Sequence, residues 1–179
     1  MKFLTSLSAL ALIVTSSAAA AATPCVTTAE AQSIALVAMP EIIRQTGQAC
    51  AAVLPPSALT RQTGGAFLAK YDTAANTAWP TARAALEKVA GPDMAPLLQS
   101  EFTRPLLVSL LAPALVGQID VQDCPEIDHM VTLLEPLPPR NAAGLVVSAL
   151  QLIREKQQAG KLDARLPTLD LPLCPAQRR

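Results

Sequence analysis

Pro105-Leu-Leu-Val-Ser-Leu-Leu-Ala-Pro-Ala-Leu-Val-Gly117 is the stretch from which the fold class is read. Between Leu106 and Val116 only Ser109 carries a hydrophilic side chain, and no charge occurs. A helix with no polar face belongs where water does not reach it, so this segment is expected at the centre of a helical domain. It falls well short of the about 20 apolar residues needed to cross a bilayer.

The flanking segments repeat helical spacing. Thr27-Thr28-Ala29-Glu30 fits a capping box, and Ala35, Leu36, Met39, Ile42 and Ile43 follow on one face. Phe67, Tyr71, Ala75, Ala78, Ala82, Leu86 and Val89 step by three or four throughout, closed by Gly91-Pro92; Asp93 is placed to cap a short helix through Gln99. Pro125 suits the first turn of a helix carrying Ile127, Met130, Val131 and Leu134. After the linker Pro136-Leu-Pro138-Pro139, a last helix is patterned by Leu145, Val146, Ala149, Leu152 and Ile153. Pro40, Pro80 and Pro113 fall inside such patterns. Proline removes a backbone donor and clashes with the preceding turn, so Pro40 and Pro80 are each expected to divide the helical segment they stand in. No Asn-Gly or Asp-Gly hairpin turn occurs. The expected fold is all-α: one compact bundle of about six to eight short, proline-interrupted helices. An extended tail follows, in which Leu169, Leu171 and Leu173 alternate with Asp170 and Pro172.

The amino terminus reads as a secretory signal. Lys2 precedes an apolar segment from Leu7 to Val14 and an alanine run, which places cleavage after Ala22. Residues 1–22 are then the signal and residues 23–179 a single domain of 157 residues. With Lys2 lost, 13 basic side chains face 14 acidic ones, a balance that argues against nucleic acid as a partner. The alanine-rich signal points to the periplasm, with secretion into the medium as the other destination. No membrane-spanning segment is expected in the mature chain.

Cys25, Cys50, Cys124 and Cys174 survive cleavage, and an even count in an oxidising compartment reads as two disulfides. None of them forms a Cys-x-x-Cys pair. The expected pairing is Cys25 with Cys50 and Cys124 with Cys174. It requires Pro40 to fold the first helical segment back on itself. A straight helix there would hold Cys25 and Cys50 about 30 Å apart.

Chemistry is sparse. Asp120-Val-Gln-Asp-Cys-Pro-Glu-Ile-Asp-His129 holds four carboxylates and the chain's single histidine. Asp123, Glu126 and His129 are the candidate polar site, for a metal ion or for catalysis. Carboxylates at a helix start also suit the positive end of its dipole, and that structural role is the expectation. Gly-x-Ser-x-Gly, Ser-x-x-Lys and phosphate-binding glycine loops are absent. Ser109 or Ser148 would need His129 beside it to act as a nucleophile. Phe67, Tyr71 and Trp79 are expected in the core, and the proline linker is expected to be a connector. No cofactor is expected.

Three functions remain. The first is a non-enzymatic exported protein binding a protein partner. The second is a carrier of a small hydrophobic ligand, which a cavity above roughly 300 Å³ lined by Leu and Val would mark. The third is a small enzyme or metal protein using the Asp120–His129 segment.

Overall fold

The computed structural model describes residues 24–161 and 172–175. The expected signal peptide, and the tail positions Leu169 and Leu171, lie outside the described residues. Six α-helices follow in order: α1 (Thr28–Ala49), α2 (Ala66–Ala90), α3 (Ala95–Leu98), α4 (Thr103–Val116), α5 (Cys124–Leu134) and α6 (Pro139–Gln158). Single 3-10 turns at Leu59–Arg61, Pro92–Met94 and Val121–Asp123 connect them. Among the described residues the only β-type pairing is an isolated parallel bridge between Val26 and Leu173. The all-α expectation holds.

The centre is α1, which packs against α2, α4 and α6. Its buried residues, including Ser33, Ile34, Leu36, Val37, Pro40, Ile43 and Gly47, cover more than one side. Small side chains make this possible, because they let neighbouring helices approach from several directions. Ser33 tolerates burial because its hydroxyl donates to the Ala29 carbonyl of its own helix at 3.1 Å. The capping box forms as read: the Glu30 amide donates to Thr27 Oγ1 at 3.3 Å, and the Thr27 amide donates to the Glu30 carboxylate at 2.8 Å.

α2 lies along α1 with its expected stripe turned inward. Phe67, Tyr71, Ala75, Ala78 and Ala82 are buried. The Phe67 and Tyr71 rings meet edge to face at 5.1 Å, and Trp79 is half-buried against a separate cluster that includes Val37, Ala78 and Ala82. Two ion pairs tie this helix pair at separated points. Arg44 Nη2 donates to both Asp72 oxygens at 2.8 and 2.9 Å, and Lys88 Nζ donates to Glu30 at 2.6 Å.

Three expectations fail here. First, Pro40 and Pro80 do not divide their helices: α1 and α2 run 22 and 25 residues without a break past those prolines, and α4 likewise contains Pro113. A proline inside a helix costs about 3 kcal/mol. Packing along both halves of each long helix offsets that, and the Pro40 ring is itself buried. Second, the continuous α1 fixes the disulfides the other way. Cys25 joins Cys174 and Cys50 joins Cys124, with Cα separations of 5.0 and 5.6 Å. At 1.5 Å per residue α1 spans about 33 Å, far beyond the reach of a bridge between its own ends. Third, α4 is not central. Only Thr103, Ala112 and Val116 are buried, while Leu106 and Leu110 are 52 % and 67 % exposed.

The face expected to bury α6 is also displaced. Ala142, Ala143 and Val147 enter the core, whereas Leu145, Val146 and Leu152 are exposed. Likewise Asp93 lies inside the 3-10 turn Pro92–Met94 and caps nothing; Gly91, at φ +86°, ends α2.

Beyond α1 the chain is clamped to α5. Buried Thr60 donates through its amide and its hydroxyl to Asp128 Oδ1, at 3.1 and 2.8 Å. The Cys50–Cys124 bridge lies in the same small core, with Leu54 and Ala58. The proline linker is held by Lys70, which donates to the carbonyls of Glu135 and Leu137.

Candidate functional site

The three residues of the candidate polar site are not drawn together around a common point. Asp123 ends the turn before α5, Glu126 lies in the first turn of that helix, and all three of Asp123, Glu126 and His129 are exposed. Among the described residues no three His, Cys, Asp or Glu side chains are grouped to hold a metal ion. Asp128, which stands between them in sequence, points the other way, into the Thr60 clamp. Ser109 donates its hydroxyl to the Leu106 carbonyl of its own helix, and Ser148 is exposed on α6. No hydrogen bond among the described residues joins His129 to either serine.

What the helices do build is an apolar groove. Its floor is one side of α1: Ala31, Ile34, Ala35, Ala38, Met39 and Ile42. Those positions recur at three- and four-residue steps, so they share a face, and the three alanines leave the floor low. One wall is α4, through Leu107, Leu111 and Leu115 at successive four-residue steps. The other is α6, through Val146, Val147, Leu150 and Ile153. Leu86 of α2 and Leu173 complete the apolar lining. The volume of this partly open groove is about 500 Å³, within the range of small-molecule sites.

Polar groups gather at one end. Arg154, Gln157 and Gln158 stand on the last turn and a half of α6, and Arg154 is the only charged residue among the described residues that line the groove. This end lies toward the start of α1, since Gln151 Nε2 donates to Thr28 Oγ1 at 3.2 Å. Leu173 is fixed nearby by two backbone bonds that flank it: the Val26 amide donates to the Pro172 carbonyl at 2.7 Å and the Cys174 amide to the Val26 carbonyl at 2.9 Å. The Cys25–Cys174 bridge reinforces that pairing.

None of the groove residues was singled out in sequence as a site. The available signal was an excess: α4 and α6 each carry more large apolar side chains than one buried face can use. An apolar surplus with no core to enter has to line a cavity or meet solvent, and here it does both.

The fold and site together define a disulfide-stapled helical protein with an elongated apolar groove. No single helix among the described residues is long and apolar enough to cross a membrane; Thr103–Val116 and Val121–Leu134 reach that measure only as a pair bent by 89°. Comparison with protein families, characterised proteins and solved structures finds no match.

Proposed function

We propose that this is a non-enzymatic, exported binding protein that carries a small hydrophobic ligand in the groove between α1, α4 and α6. The observation that carries the reading is the cavity itself: about 500 Å³ walled by leucine, isoleucine, valine and alanine. The lining side chains of an open apolar groove face water and make few of the contacts that a close-packed core would supply. Occupation by a ligand recovers them. The two disulfides and the leader-like residues 1–22 support export, with the periplasm as the expected compartment. Intact mass of the exported chain is expected to begin at Thr23.

The test is uptake of a neutral apolar fluorophore, N-phenyl-naphthylamine, by the oxidised protein. Binding at about one equivalent is expected, with loss in Leu111→Trp, whose indole fills the groove from the α4 wall. A folded protein that takes up no probe would remove the carrier reading.

One observation favours a protein partner instead. Phe102, at the cap of α4, and Leu106 and Leu110 on its outside follow one another at four-residue steps, and Phe102 is 82 % exposed. If that surface is the functional one, Leu110→Asp would abolish partner capture while Leu111→Trp would spare it.

A further inference from the structure

The two disulfides differ in how they meet solvent. Cys50 and Cys124 are fully buried, enclosed with Leu54 and Ala58 in a small core of their own. Cys25 and Cys174 are only half-buried, and their chain neighbours Pro24 and Pro175 are exposed, as is Pro172. Thiol–disulfide exchange begins when a thiolate reaches a bridge sulfur, so access decides which bridge reacts first. The accessible bridge is also the one beside the groove. Cys174 follows Leu173, which lines the groove and packs against the core around Val26 and Ile34. Val26, next to Cys25, is completely buried, so that side of the bridge is anchored. Among the described residues the other side is held by the Val26–Leu173 pairing, the packing of Leu173 and the bridge itself.

We propose that Cys25–Cys174 is a redox latch on the groove: a dithiol opens it selectively, Leu173 leaves the lining and ligand affinity falls, while Cys50–Cys124 stays closed. The proposal rests on the carrier reading and adds regulation to that same site. The reductant is of the dithiol class, a small molecule or a protein with a reactive thiol pair. One of its thiolates attacks one sulfur of the bridge. A mixed disulfide forms, and the other cysteine leaves as a thiolate and takes up a proton. The second thiol of the reductant loses its proton and attacks its partner sulfur in the mixed disulfide, which frees the remaining cysteine. The bridge gains two electrons and two protons, and the dithiol loses them on closing to its own disulfide. Exchange with an oxidised partner runs the same steps in reverse and recloses the latch. The switch is local, because Cys50–Cys124 lies outside the groove lining and continues to tie α1 to α5 when the latch is open.

The experiment is graded reduction of the oxidised, exported chain with dithiothreitol, followed by alkylation, peptide mapping and titration with N-phenyl-naphthylamine. Cys25 and Cys174 are expected to be alkylated first, with Cys50 and Cys124 still bridged. The singly reduced protein is expected to keep its helical circular dichroism and to bind the probe roughly ten-fold more weakly, the scale of one leucine side chain leaving its contacts. Reoxidation in place of alkylation is expected to restore the affinity. Leu173→Ala with both bridges intact is expected to bind weakly when oxidised and to change little on reduction, which ties the loss to that side chain. Opening of Cys50–Cys124 first, or of both bridges together, would overturn the latch. So would a singly reduced protein that unfolds or keeps its affinity, or a Leu173→Ala variant that binds as the parent does. An oxidised, folded protein that takes up no probe would instead remove the carrier reading on which the latch depends.

Discussion

At the scale of single residues, the sites that matter most to the fold are close approaches and shared protons. Gly47 sits in α1 where a Cβ would come within 2.2 Å of the Thr60 carbonyl oxygen. That neighbour is backbone, and Thr60 is anchored to Asp128, so the loop has little room to yield. Gly47→Ala is therefore expected to destabilise by about 1–3 kcal/mol, measured by denaturant unfolding, despite the better helix propensity of alanine. Glu30 gives a prediction about pH. The bond from Lys88, and then the Thr27 amide, hold its carboxyl below the ordinary value of 4.5. The folded state thus keeps Glu30 ionised more readily than the unfolded chain does. Its contribution is present above pH 4.5 and is lost as the pH falls below that value. Both partners are partly solvated, so the effect is under about 1 kcal/mol. Comparing thermal unfolding at neutral and acidic pH, Glu30→Gln is expected to shrink the loss of stability on acidification; an unchanged loss would discount the pair.

At the scale of elements, the prolines separate what local chemistry favours from what packing enforces. Pro80 is exposed within α2, has no N–H to offer the Asn76 carbonyl, and still lies in continuous helix. Pro80→Ala is expected to stabilise by about 1–3 kcal/mol, the propensity gain less the unfolded-chain entropy that proline removes. A rise in melting temperature checks it; a fall would mean that the ring makes contacts worth more than the missing bond. Helix positions were legible in the sequence to this extent: the stripe of α2, the Thr27 cap and the Gly91 stop appear where spacing and caps place them. Helix continuity was not, because proline's local penalty is visible in sequence and the tertiary contacts that offset it are not. Nor was the identity of the central helix. α4 is the most apolar of the described helices, yet α1, with Ser33, Thr46 and Gly47 among its buried residues, takes the centre. Hydropathy measures how much a segment gains by leaving water. Which segment can be approached closely from several sides depends on side-chain size. The candidate polar site failed for a related reason: Asp123, Glu126 and His129 share a neighbourhood in sequence, and the side chain of that segment that turns inward, Asp128, is occupied in holding Thr60.

At the scale of the whole molecule, the two disulfides fasten opposite ends of the central helix to different parts of the chain. Cys50–Cys124 ties the far end of α1 to α5 across 74 residues, and Cys25–Cys174 ties its start to the tail across 149. On the chain-entropy model these loops stabilise by about 4 and about 5 kcal/mol. Non-reducing peptide mapping is expected to recover those two linked pairs; a Cys25–Cys50 peptide would mean that α1 folds back at Pro40 after all. The two bridges differ in what else they hold. Cys50–Cys124 sits in a small core with Leu54 and Ala58, away from the groove. Cys25–Cys174 stands beside Leu173, which lines it. Replacing Cys50 and Cys124 together by serine is therefore expected to lower stability and leave the ligand affinity of the remaining folded protein intact. Replacing Cys25 and Cys174 is expected to lower both, because among the described residues the Val26–Leu173 pairing that positions this part of the lining rests on two backbone bonds once the covalent tie is gone. Ligand titration of both double variants under conditions where each is fully folded separates the outcomes. Equal affinities would place the tail pairing outside the binding site and reduce the Cys25–Cys174 bridge to a purely structural staple.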